Sequence, residues 1–232
     1  MMEILSEQYF LLTLTFGIYF AAKRLQKATG CVWLNPILVS IAFLIVFLKL
    51  TDISYDTYHA AGSKIDFWLK PAVVALGLPL YRQLRNIRQQ LVPILVSQLV
   101  GCVVGIVSVT LIARWMGASQ AVVLSLAPKS VTTPIAMEVT STLGGIPSLT
   151  AAIVVMVGIL GAIIGFKVMK VGRIRQPDSQ GLSIGTASHA VGTSAAIARG
   201  EVEGVYSSLG LILNGIYTAL LSSIVLHWIG II

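Results

Sequence analysis

The chain has 232 residues, 56% apolar and 11% charged against roughly 25% charged in an ordinary soluble domain, with a mean hydropathy of +0.89. That excludes a soluble globular protein and predicts an integral membrane protein with room for roughly six to eight membrane elements. The net charge of +7 sits in short basic runs beside apolar spans, where the positive-inside rule accounts for it, so membrane lipid and not nucleic acid is the expected partner.

Apolar runs predict an all-α polytopic membrane protein of about six transmembrane helices, near 5–22, 35–50, 67–81, 91–114, 147–170 and 204–230. Glu3 and Glu7 precede the first run, with no basic n-region, so it is expected to be a retained span and not a cleaved signal. Cys31 follows the basic run Lys23, Arg24, Lys27 while Cys102 lies inside an apolar span, an unfavourable pair for a disulfide. Asn35-Pro36 has the chemistry of a helix cap and first turn. Pro71 and Pro79 interrupt the third run, and Pro71 is expected to break it. Tyr9, Trp33, Trp68, Tyr81, Trp115 and Trp228 fall near span ends, as interfacial anchors do.

Two polar stretches, 118–143 and 181–199, interrupt the apolar pattern. Pro128 and Pro134 each remove a backbone donor, so an intact helix through both is not expected, and the freed carbonyls need a protein-lined or wet cavity. Basic clusters at Lys23, Arg24 and Lys27, at Arg82, Arg85 and Arg88, and at Lys167, Lys170, Arg173 and Arg175 should all face the cytoplasm. A single crossing by 118–143 would put the last cluster outside. Two discontinuous or re-entrant elements, 118–143 and 181–199, resolve the conflict. The pairs Gly101/Gly105 and Gly161/Gly165 each precede such an element, so units 91–143 and 147–199 form a candidate inverted repeat within one domain, 1–232. Chance recurrence of a residue frequent in membrane helices is the alternative.

In the first element, Thr133-Pro134 predicts a helix start whose free amides, with Lys129, Ser130 and Thr132, suit a small carboxylate. The bland alternative is a lysine that snorkels or pairs with Glu138. In the second, Thr186, Ser188 and His189 lie among small residues. His189 could bond a carboxylate or carry a coupled proton, or simply be satisfied by loop carbonyls. Glu138 is a candidate for proton coupling or for a static ion pair. Asn214, in the last span, could line the cavity or hydrogen-bond across helices, and the second is the leading expectation. No hydrolase, zinc-protease or phosphate-loop motif is present, and no cofactor, metal site or enzymatic activity is expected.

The segments Pro128-Lys129-Ser130-Val131-Thr132-Thr133-Pro134-Ile135-Ala136 and Gly185-Thr186-Ala187-Ser188-His189-Ala190-Val191-Gly192-Thr193 closely resemble the LrgB/CidB family, and the similarity extends to Asn35-Pro36 and Lys70-Pro71-Ala72. The resemblance implies a multi-pass protein of the bacterial cytoplasmic membrane, often acting with a small LrgA/CidA-type partner and as a homo-oligomer. It also implies one of two functions. The leading expectation is transport or facilitation of small monocarboxylates resembling pyruvate, glycolate or lactate, as the related plastidial glycolate/glycerate translocator suggests. The other is holin- or antiholin-like modulation of murein hydrolase activity and autolysis.

Overall fold

The computed structural model describes residues 7–30, 34–75, 77–82 and 84–232; Glu3, Cys31 and Trp33 lie outside them. Among the described residues every regular element is helical. The chain divides into two units, Met1–Gly77 and Leu78–Ile232.

In the first unit, α1 (Gln8–Thr29) packs against α2 (Pro36–Leu50) and α3 (Tyr55–Ala75). Leu11 is wholly buried, and the Thr15 and Tyr58 hydroxyls share a 3.1 Å hydrogen bond between α1 and α3. Asn35 caps α2 as its chemistry predicts: its side-chain oxygen accepts from the amides of Ile37 (2.9 Å) and Leu38 (3.4 Å), with Pro36 in the first turn.

The expectation of about six transmembrane helices is corrected here. Among the described residues three helices are long and apolar enough to cross a membrane, α6 (Leu91–Trp115), α9 (Pro147–Val171) and α11 (Glu201–Trp228), all in the second unit. The 15 residues of α2 span only about 22 Å against roughly 30 Å of hydrocarbon. In α1, Gln8, Thr13 and Thr15 and then Lys23, Arg24 and Lys27 dilute the apolar residues. The early turns of α3 hold Asp56, His59 and Lys64, so the apolar run expected at 67–81 is divided between the end of α3 and the short α4 (Gly77–Arg82). Pro71, expected to break a span, sits inside α3, which continues through it to Ala75. The helix continues one further turn past the proline, with the Phe67 carbonyl deprived of its intrahelical donor.

In the second unit, α5 (Leu84–Gln89) leads into α6, and α6 and α11 lie parallel. Ile94 shares a cluster with Val205 and Tyr206, Cys102 meets Thr218, and Ala113 shares a cluster with Val225 and Leu226. The opposite direction is taken by α9: its Thr150 bonds to Ser125 near the C-terminal end of α6, while Met169 packs with Ile184 and Ala196 toward the other end. Arg82, Arg85 and Arg88, ahead of α6, therefore share one end with Lys167, Lys170, Arg173 and Arg175, at and after the close of α9. Trp115 and Trp228 are the exposed last residues of α6 and α11 at the far end.

Two interrupted elements complete the unit. From the far end α7 (Gln120–Leu126) runs back along α6, residues 127–132 are non-helical, and α8 (Thr133–Leu143) leaves again beside α11, with Ile135 against Gly215. The α8 N-cap is Thr132, one residue before the predicted Thr133, and Pro134 stands in the first turn. From the basic end comes α10 (Pro177–Arg199), which reverses at His189 (φ 43°, ψ −142°). Its two arms meet the same stretch of α11 in opposite senses. Gly181 lies on Glu203 and Gly185 on Ser207 in the incoming arm; Thr193 meets Ser207 and Ile197 meets Gly204 in the returning arm.

Candidate functional site

The tips of the two interrupted elements converge on Asn214, midway along α11. Its side-chain amide donates to the Ser130 carbonyl at 3.1 Å and to the Thr186 carbonyl at 3.0 Å. Ser130 belongs to the stretch that Pro128 and Pro134 keep from being helical, where backbone oxygens lack intrahelical donors. A buried amide thus supplies in the membrane what water supplies outside it. The polar chain continues to both sides: Lys129 Nζ donates to Ser130 Oγ at 3.0 Å, and the Thr186 hydroxyl bonds to Gln98 of α6. Four elements are tied together this way.

This chain of bonds lies along a cavity of about 410 Å³. Lys129, Ser130 and Thr186, three of the predicted substrate-binding residues, line it together. Lys129 is the only cation among its lining residues, and no carboxylate lines it. Lys129 and Glu138 form no ion pair: Glu138 is exposed, and among the described residues the one ion pair is Arg199 with Glu203 at 3.9 Å. The rest of the wall is hydroxyl and small or apolar surface, including Ser183, Thr218, Gly105 and Ile106. A single positive charge in a half-apolar cavity suits one compact negative group carried on a small organic body.

The other predicted site residues lie elsewhere. Thr132 and Thr133 begin α8 outside the cavity lining. Ser188 and His189 face α9: His189 Nε2 is 2.7 Å from the Val154 carbonyl, its ring lies against Gly158, and Ser188 sits on Gly161. Gly165 receives Ile184. The Gly161/Gly165 pair is therefore occupied within the chain, seating the incoming arm of α10. Among the described residues, no His, Cys, Asp and Glu group could hold a metal ion.

Sequence reasoning missed Gln98, Ser97, Ser179 and Ser183. A signal for the last two existed: with Thr186 they stand at i, i+4 and i+7, one face of a helix. Asn214 was expected to bond across helices and does so, while also lining the cavity.

No solved structure matches the chain. It is 37% identical over 207 residues to the uncharacterised Bacillus subtilis protein YwbG, covering 89% of this chain and 92% of that one. It is 36% identical over 222 residues to an uncharacterised protein of Haemophilus influenzae, covering 94% and 96% of the two chains. Over 223 residues it is 31% identical to the antiholin-like protein LrgB of Bacillus mycoides, covering 96% and 97%. A family match described as LrgB-like runs from residue 15 to residue 228, through α1 to the end of α11 and across the whole Lys129 cavity. With three apolar spans among its described residues and two basic clusters at one end of the second unit, this is a multi-pass bacterial inner-membrane protein, and it belongs to the LrgB-like family.

Proposed function

We propose that the chain is an antiholin-like membrane protein that modulates murein hydrolase activity and autolysis, working with a small LrgA/CidA-type membrane partner and as a homo-oligomer. The observation that supports this over carriage of a solute is the name of relatives that align along nearly their full length, such as the antiholin-like LrgB of Bacillus mycoides. Because the family match runs through both units, we treat 1–232 as one functional domain. The test is a strain lacking this chain: faster detergent-induced autolysis and stronger murein hydrolase bands, both reversed by re-expression, are expected. Unchanged autolysis would remove the reading.

A second reading is favoured by the cavity: transport or facilitated passage of a small monocarboxylate of the pyruvate, glycolate or lactate type, with the carboxylate at Lys129. A lysine within a membrane helix costs about 2.5–3.5 kcal/mol on insertion scales, and here no carboxylate side chain offsets it. An anionic solute would. Ser130 and Thr186 would add hydrogen bonds from the same cavity, while Thr132, Thr133 and Ser188 would act by holding the tips in place. His189 and Glu138 are the groups through which proton coupling would run, His189 by altering its bond to α9. Saturable uptake of one radiolabelled acid into proteoliposomes containing this chain, with and without a proton gradient, is the expected outcome. No uptake by inserted protein, even with the small partner added, would leave only the first reading.

A further inference from the structure

We propose that the Lys129 cavity is a vestibule that takes in water from the basic end of the second unit and is sealed toward the other end. The cavity lies between α6 and the incoming arm of α10. Its polar lining runs from Ser179 and Ser183 to Thr186, Ser130 and Lys129, all half-buried, and includes the buried Gln98 and Asn214. Ser179 is the third residue of α10, a few positions after Arg173 and Arg175, so the hydroxyl row Ser179, Ser183, Thr186 leads from the basic face toward Lys129. Within that row the Thr186 hydroxyl donates to Gln98 and the Ser179 hydroxyl to Asp178, and polar groups so placed suit a wet face better than hydrocarbon.

Toward the far end the character reverses. Cys102, Ile106 and Ala127 line the cavity and also belong to a buried apolar cluster that continues through Val123, Val225 and Leu226. The hydroxyl at this boundary, Thr218, is 3.4 Å from the Cys102 thiol. Such a layer is a plug: it offers water no sequence of partners by which to pass. Near the mouth stand both signs of charge: Arg173 and Arg175 precede α10, and the Asp178 carboxylate accepts from Ser179. The vestibule rests on the cavity and not on the identity of any solute, so a failure of carboxylate uptake leaves it standing.

The test is thiol labelling of the full chain in oriented membrane vesicles. Single cysteines replace Ser183 and Ser97 in a background where Cys31 and Cys102 are serine, and a charged, membrane-impermeant methanethiosulfonate is added from one side or the other. Arg173→Cys and Ser119→Cys report the basic and far faces; Val123→Cys reports the plug. Ser183→Cys and Ser97→Cys are expected to react from the side that labels Arg173→Cys and not from the other, with Val123→Cys silent from both until the protein is denatured. The proposal is overturned if Ser183→Cys and Ser97→Cys label from the Ser119→Cys side. It is equally overturned if both stay silent from either side yet react after denaturation, or if Val123→Cys labels in the folded protein.

Discussion

Gly161 and Ser188 meet so closely that a methyl group placed at Gly161 would overlap the Ser188 hydroxyl. The incoming arm of α10 can lie on α9 only because α9 presents no side chain there. Gly161→Ala should push the arm away and cost about 1–3 kcal/mol, the usual penalty for overfilling a packed contact. A methyl group at Gly105 would meet nothing within 4 Å, so Gly105→Ala should be neutral or stabilising by up to about 1 kcal/mol. Thermal unfolding of the two variants in detergent checks the contrast; equal stability would mean the arm is not seated on α9.

Asn214→Leu keeps the volume of the side chain and removes the donor shared by Ser130 and Thr186. Leaving two half-buried carbonyls short of a donor should destabilise by about 1 kcal/mol. Thermal midpoints, together with protease sensitivity of residues 127–132, provide the measurement. A stable Asn214→Leu protein with unchanged proteolysis would show that the tips hold without it.

Replacing Lys129 separates stability from binding. In Lys129→Met a charge without a carboxylate partner leaves the cavity, so the folded, inserted protein should be as stable as the parent or more so. Under the carriage reading, losing one charge-assisted bond of about 1.5–3 kcal/mol lowers anion affinity roughly tenfold to a hundredfold. Equilibrium binding of pyruvate, glycolate and lactate to purified protein, beside a melting curve, tests both halves. Unaltered binding would remove Lys129 from the anion site.

His189 occupies a backbone region in which glycine is at ease and histidine is not. His189→Ala loses the bond to Val154 and keeps the strain, whereas His189→Gly loses the same bond and relieves it. The glycine variant should be the more stable of the two by about 1–3 kcal/mol. Paired unfolding curves decide this; an alanine variant equal to the glycine one would mean the turn is unstrained.

Local chemistry made several features legible in advance. Asn35 and Pro36 carry their own start signal, Pro128 and Pro134 forbid a continuous helix, and the runs that became α6, α9 and α11 are apolar throughout. What failed was the weight given to shorter or diluted runs, where Lys23 and Arg24 in α1 or the length of α2 outweigh the apolar residues around them. The reversal at His189 had no glycine or proline at that residue to announce it. It depends on Val154 and Gly161, which stand more than twenty positions away in the chain. Gln98 was invisible for the same reason: one polar residue in an apolar run gains meaning only when Thr186 is brought beside it.

The docking of α10 on α11 also sets an order of assembly. A ribosome delivers Lys129, Ser130 and Thr186 to the membrane before Asn214, the residue that ties the tips together, and before Ser207, the partner of Thr193. Until α11 is inserted, the two arms of α10 have α9 but not α11 to rest on, and the Thr186 carbonyl lacks its Asn214 donor and must find temporary company among lipid headgroups, water or an insertase. A chain stalled ahead of Glu201 would therefore hold an open, polar hairpin at the basic face, which is the kind of exposed segment that membrane proteases extract and degrade.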